Sequence, residues 1–406
     1  MELLLKNIGM LATPIGNREQ KGKAQGEIKL IKNAMVAVRN GLIEYAGEFD
    51  DSIKADEIID CEGCLVTPGL VDAHTHLVFG GWRQHEFGKK LAGVSYLDIL
   101  RQGGGILSTV DSTRSETEEN LLEKADSLLR QMCAHGTTTV ECKSGYGLDL
   151  ENERKQLLVA KALNDNNCVD VVSTFMGAHA IPREFLENRE EYIRLLNEEI
   201  LPAISQMKLA EFCDIFCETA VFSPLESRLI LKKAAALGYK LKAHVDEIDP
   251  IGGAELAAEM GCVSAEHLIA ASDKGITALA EKGVIAVLLP ATSFYLGKPY
   301  ARARKMVDEG VAVAIATDFN PGSSPNLNMQ LPMNLACLSY RLLPEEALTA
   351  VTLNAAAAIG RAGTAGSVES GKNADIVIWD APDLDMIFYR YGTNQVKTVI
   401  KSGQVI

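Results

Sequence analysis

The sequence predicts an α/β fold: a closed (β/α)8 barrel with a small β-sandwich domain assembled from both chain termini. Two observations carry this expectation. Between residues 66 and 360, short apolar runs alternate with amphipathic stretches, the pattern of buried parallel strands covered by helices. Eight such runs in one region favour a closed barrel over an open sheet. Residues 1–65 and 361–406 instead alternate short apolar runs with turn residues, as antiparallel strands do. Chain ends commonly lie near each other, so the two ends are expected to share one domain.

The elements follow in order. Residues 34–38 read as a strand, Asn40-Gly41 as a hairpin turn and 42–46 as the return strand. The central runs are 65–67 leading into 70–71, then 137–141, 169–175, 212–218, 239–244, 263–267, 284–289 and 311–318. Helices are expected over 120–133, 151–163, 224–237, 251–260, 272–281 and 300–309, with a last one over 344–359. Near the end, 375–379 reads as a strand and 396–401 with 404–406 as a hairpin across Ser402-Gly403.

Composition narrows the function. The 406 residues are 47% hydrophobic and 23% charged, ordinary for a folded soluble protein. The net charge of −14 argues against non-specific nucleic-acid binding, which rests on Lys and Arg neutralising phosphates. No signal peptide or membrane span is expected, and with that charge neither nucleic acid nor membrane is expected as a partner. The nine cysteines are scattered. Cys61 and Cys64 form a C-x-x-C without a second pair at zinc-ribbon spacing, and free thiols in a reducing cytoplasm are expected.

Seven histidines occur. His74 and His76 close the first central run as Asp-Ala-His-Thr-His, and residues i and i+2 of a strand face the same way. His179 follows the third run, His244 ends the fifth, His267 the sixth and Asp318 the eighth. In a barrel those strand ends converge on one site. A lone buried histidine is more often a satisfied core residue than a ligand. Here the histidines concentrate at separately predicted strand ends, leaving only His85 and His135 elsewhere, and that argues for a metal. Three imidazoles and a carboxylate suit Zn2+ or Fe2+ with an open position for water. The ion would bring the pKa of that water towards ~7, and Asp318 is placed to take its proton. The fourth run ends in Phe216-Cys217-Glu218, with no lysine to bridge a second ion, which favours one metal.

This layout resembles the amidohydrolase superfamily: H-x-H on the first strand, histidines on the fifth and sixth, aspartate on the eighth, and a β domain from both termini. Segments 68–81, 102–109, 143–148, 174–182, 244–254 and 316–325 are similar to the members that open imidazolone propionate in histidine degradation. The resemblance implies one ion, Zn2+ or Fe2+/Fe3+, held by His74, His76, His244 and Asp318. It implies catalytic roles for Asp318, His267 and Glu247, with His267 facing substrate more than holding metal. It implies substrate contacts from Arg83, Tyr146, His179, Glu247, Asn320, Gly322 and Ser323. The expected reaction is hydrolysis of the cyclic amide of 4-imidazolone-5-propanoate to N-formimino-L-glutamate, in a cytoplasmic homodimer. Trp82 at the loop tip and Glu266 before His267 depart from the pattern; aspartate is commoner at the latter position.

Each motif also has a plainer reading. Arg83 can grip a carboxylate bidentately, or be a solvated loop charge. Tyr146, between glycines, can line a pocket or sit in a surface turn. Glu247 can exchange a proton with a ring nitrogen, or be an acid preceding a helix. The cluster at 320–325 can be a turn, or offer backbone amides to a charged group. Gly103-Gly104-Gly105 lacks the Gly-Lys-Ser/Thr ending of a phosphate loop. Two alternative functions stay open: a cytosine- or guanine-type deaminase, since His244-Val-Asp-Glu247 also fits that chemistry, and a non-catalytic metal-binding barrel.

Overall fold

The computed structural model of the chain describes residues 1–94, 104–166 and 169–406, so Gln102, Gly103 and Cys168 lie outside the described residues. The chain opens with β1 (Leu3–Thr13), β2 (Lys29–Arg39), β3 (Leu42–Glu48), β4 (Glu57–Asp60) and β5 (Leu65–Pro68). The barrel strands are β6 (Leu70–Asp72), β7 (Thr137–Lys143), β8 (Asp170–Ala178), β9 (Phe212–Cys217), β10 (Lys240–Val245), β11 (Ser264–His267), β12 (Ile285–Leu288) and β13 (Val313–Ile315). The chain closes with β14 (Ile376–Trp379), β15 (Val396–Lys401) and β16 (Gln404–Val405).

Strands from both ends form one mixed eight-stranded sheet, ordered β16-β15-β14-β5-β1-β2-β3, with β4 beside β1. β1 changes partner along its length. Leu3–Lys6 pairs with β4, and Met10-Leu11 with β5. The switch falls at an irregularity between Leu5 and Ile8, where Asn7 takes φ 54°. The period-2 alternation of β14 divides two cores: Val377 and Trp379 pack with the barrel helices, while Ile376 and Ile378 join β1 and β2 on the other face.

The second sheet runs β13-β12-β11-β10-β9-β8-β7-β6, all parallel. It closes beyond the ends of its first and last strands. Thr75 bridges Phe319, the Asp318 N–H donates to the His74 carbonyl at 3.1 Å, and the His76 N–H to the Phe319 carbonyl at 2.8 Å. Asp318 therefore follows β13 by three residues instead of ending it.

Two further expected elements differ. Residues 65–67 do not lead the barrel; β5 pairs with β1 and β14, and the barrel starts at Leu70. Both segments are apolar and only Gly69 separates them, so the sequence showed no break. The helix expected over 344–359 is two helices, Pro344–Ala350 and Leu353–Ala358. The Val351 carbonyl between them accepts from the Val71 N–H of β6 at 2.9 Å, so satisfying the barrel's first strand interrupts the helix. Elsewhere local signals hold: Ser223 and Glu226 form a capping box at the start of Pro224–Ala236, with Pro224 as its first residue. Among the described residues, no helix is long and apolar enough to cross a membrane.

Trp379 ties the terminal sheet to the barrel side. It is fully buried, and its indole N–H donates to the Thr67 hydroxyl at 2.8 Å. Trp379→Ala should destabilise the protein by about 3–5 kcal/mol, the usual cost of an emptied aromatic site, read as a lower midpoint of urea unfolding.

Candidate active site

The barrel closure brings the histidines and Asp318 together. His74, His76 and His244 present nitrogen atoms within 4.8 Å of one another, all buried. The Asp318 carboxylate lies 3.4 Å from His74 Nε2 and 3.9 Å from His76 Nε2. Burial holds the pKa of all three imidazoles well below the usual value, so they are neutral and able to ligate. Among the described residues, His74 Nε2, His76 Nδ1 and His244 Nε2 are buried with no hydrogen-bond partner. Three clustered neutral imidazoles with orphaned nitrogens, one of them His74 Nε2 beside the Asp318 carboxylate, are a donor set that a divalent metal satisfies, so these residues fit such an ion.

Asp318 is held by the Thr292 hydroxyl, which donates to Oδ2 at 2.6 Å. Burial raises its pKa to about 6 despite the pull of His267. His267 lies 3.7 Å from Glu247, whose pKa burial and nearby Glu218 push up to about 7. His267 and Asp318 adopt φ of 68° and 53°, a left-handed backbone uncommon outside glycine. Such conformations cluster where function fixes a side chain.

Beneath the histidines lies a layer of charge that the sequence reading passed over. The Lys143 ammonium is 2.7 Å from Asp214, 2.8 Å from Glu141 and 3.5 Å from Glu266. Lys242 is 2.8 Å from Glu141 and 3.3 Å from Glu266. None of the five side chains is exposed. Burial opposes the charge of Lys143, but its three carboxylates outweigh that and raise its pKa. Two of these carboxylates reach up to the imidazoles: Glu266 pairs with His74 Nδ1, and Asp214 with His244 Nδ1 at 3.1 Å. A carboxylate on one ring nitrogen turns the other towards a metal. The available signal was charge inside a buried run, as in Thr-Val-Glu-Cys-Lys and Leu-Lys-Ala-His.

The substrate-side residues are spread over several loops. His179 stacks on His76 at 4.8 Å, and burial lowers its pKa to about 4. Tyr146 is buried 5.3 Å from His179, in a turn whose Gly145, Gly147 and Leu148 amides donate to Glu153. The Arg83 guanidinium lies on Gly322, where a Cβ would overlap it. Lys90 donates to the Gly322 carbonyl at 2.8 Å. The amides of Gly322 and Ser323 donate to Asn320 Oδ1 at 2.8 and 2.7 Å, so this loop spends on itself the amides expected to hold a substrate charge. The Gly105 amide likewise donates to buried Glu86, which occupies a donor that a phosphate would need. Trp82 packs on Phe79 and Phe319. His85 is exposed, and His135 caps the helix Glu118–Ala134.

Two expected outcomes follow from this geometry. Lys143→Met leaves buried carboxylates uncompensated and should destabilise the fold by about 3–5 kcal/mol, seen as a lower unfolding midpoint with reduced metal content. Gly322→Ala must displace Arg83; KM should rise about tenfold or more with the metal content unchanged, since one bidentate carboxylate contact is worth that much.

Known proteins resemble this chain in sequence and in fold. Residues 65–406 match the amidohydrolase family. A protein from Bacillus velezensis named imidazolonepropionase is 52% identical, over 100% of this chain and 97% of its own length. Another of that name from Treponema denticola is 55% identical, over 91% of each. An adenosine deaminase from Xanthomonas campestris, solved with bound zinc, superposes with a TM-score of 0.73 at 21% identity, covering 100% of this chain and 92% of that one. An atrazine chlorohydrolase from Arthrobacter aurescens, also solved with zinc, gives 0.72 at 18%, covering 99% and 94%. At these identities the solved structures speak for the fold alone. The chain is a hydrolase and belongs to the amidohydrolase family.

Proposed function

We propose that this hydrolase opens the cyclic amide of 4-imidazolone-5-propanoate to give N-formimino-L-glutamate, a step of histidine degradation. The observation that carries the reading is the pairing of a neutral, orphaned imidazole cluster beside Asp318 with a guanidinium lodged on the Gly322 loop. The relatives named imidazolonepropionase, at about half identity over the full chain, support it.

His74, His76, His244 and Asp318 would hold one ion, Zn2+ or Fe2+/Fe3+. When bound, the ion supplies Lewis acidity, making a water more acidic and polarising the ring carbonyl. Asp318, oriented by Thr292, takes a proton from the attacking water. The new carbon–oxygen bond forms at the ring carbonyl as its carbon–nitrogen bond breaks. His267 hydrogen-bonds the developing oxyanion, and the departing nitrogen takes its proton from Glu247 or Asp318. Arg83 grips the propionate, and Tyr146 and His179 bind the ring side. Asn320, Gly322 and Ser323 shape the loop against which Arg83 rests. The proposal includes a cytoplasmic setting, supported by the free thiols of Cys61, Cys142, Cys213, Cys217 and Cys262. It includes a homodimer, supported by the resemblance alone.

The test is an absorbance assay with freshly generated imidazolone propionate, using metal-loaded and chelated protein. Turnover should require metal and yield formiminoglutamate. Asp318→Asn should fold and lose turnover; near-normal activity would remove Asp318 as the base. Arg83→Ala should mainly raise KM. Folded, metal-loaded protein that leaves this substrate intact but releases ammonia from amino-heterocycles would instead make it a deaminase.

A further inference from the structure

We infer that Lys124, on the outer helix Glu118–Ala134, is a positioning residue for the carboxylate-binding end of the site, acting through Phe79 and Trp82 on Arg83. The inference rests on the reading of Arg83 as the propionate clamp.

The segment from His76 to Arg83 leaves the barrel and crosses the helix Ile106–Ser115. Gly80 lies so close to Ser112 that a Cβ would meet its backbone at 2.5 Å. The Gly80 amide donates to the Thr113 hydroxyl at 2.9 Å, and the Val78 carbonyl accepts from Gln156 at 2.7 Å. Lys124 completes the attachment. Its ammonium donates to the Gly80 carbonyl and stands 3.8 Å above the Phe79 ring and 5.0 Å from the Trp82 ring. A half-buried ammonium between ring faces gains more from them than one in open water. The same two rings both stand 6.0 Å from Phe319, the residue between Asp318 and Asn320. Trp82 directly precedes Arg83, whose guanidinium lies against Gly322 where a Cβ would overlap it. One charge outside the barrel wall thus fixes the rings that aim Arg83.

The charge is also conditional. Lys124 borders a cavity of about 380 Å³, lined further by Phe79, Gly80, Glu116, Asn120 and Glu123. Glu116 and Glu123 are the titratable groups facing it there. Burial brings its pKa down to about 8, against the upward pull of Glu116. The ammonium is therefore lost as pH rises through about 8, and the rings lose their cation.

The experiment compares steady-state kinetics of wild type, Lys124→Met, Lys124→Arg and Arg83→Ala as metal-loaded enzymes. Lys124→Met should raise KM about tenfold with kcat within about twofold, the scale of one partly desolvated cation–π contact. Lys124→Arg keeps the charge and should restore KM. Between pH 7 and 9 the wild-type KM should climb, while that of Lys124→Arg should not, because guanidinium stays charged. The chain has two tryptophans and Trp379 is fully buried, so iodide quenching reports Trp82 and should increase in Lys124→Met. Should Lys124→Met fail to fold, Lys124→Gln takes its place. If Arg83→Ala raises KM but folded Lys124→Met leaves KM and quenching unchanged, the inference is overturned and the Arg83 reading stands. An equal fall in kcat and metal content would overturn it too, as general damage. An unchanged KM in Arg83→Ala would overturn the clamp reading, and the inference with it.

Discussion

Two buried ammonium groups, Lys143 and Lys242, sit among Glu141, Asp214 and Glu266 at the floor of the site. Moving any one of these charges out of water alone costs several kcal/mol. They are stable only as a set, with Thr174 donating to Glu141 and Ser264 to Glu266. An apolar barrel core of the same volume would be at least as stable. What it could not provide is an acceptor for His74 and a carboxylate beside His244. Glu266 supplies that acceptor, Asp214 places its carboxylate 3.1 Å from His244 Nδ1, and the lysines hold both carboxylates in place. The set carries one more negative than positive charge, directly beneath three neutral imidazoles, which suits a cation above it.

Closure of the barrel supplies the remaining constraint. β6 and β13 are short, and the hydrogen bonds that join them lie past both ends, between His74–His76 and Asp318–Phe319. The same backbone contacts that finish the cylinder thus set the spacing between the H-x-H pair and Asp318. A change that loosens closure would move the carboxylate relative to the imidazoles. Asp72 adds a lock below, accepting from the Thr317 amide at 3.1 Å and the Thr317 hydroxyl at 2.5 Å. Burial raises its own pKa to about 7.

The parts of this site legible in the sequence obey local rules. His74 and His76 share a face because strands repeat every two residues, and His244, His267 and Asp318 cluster because parallel strands end on one side. The charged floor was hidden for the opposite reason. Glu141, Lys143, Asp214 and Lys242 make sense only once strands distant in sequence are adjacent, and each alone looks like a polar residue on an alternating strand. The helix break at Val351 was equally hidden, since nothing in Ala-Val-Thr-Leu stops a helix except a tertiary hydrogen bond to Val71. Asn320, which the resemblance places at the substrate, also receives two amides of its own loop on its side-chain oxygen. Sequence marks such a residue as polar and near the site without telling whom it serves.

These differences divide the site into two mechanical parts. The imidazole end sits at and just beyond the ends of the barrel strands, over the ionic floor, and small displacements there would break several charge pairs at once. The Arg83 end is built on loops: the 76–83 segment, the short helix Phe87–Leu91 and the 320–324 turn. They are joined by the Arg83–Gly322 contact and the Lys90–Gly322 hydrogen bond. Loop positions carry variation at lower cost than barrel strands do. Changes of substrate within this architecture should therefore arise by altering how Arg83 is seated, with the chemistry over the floor left intact. Gly322 is where the two parts meet: its backbone belongs to the turn following Asp318, while its missing side chain makes the seat for the guanidinium.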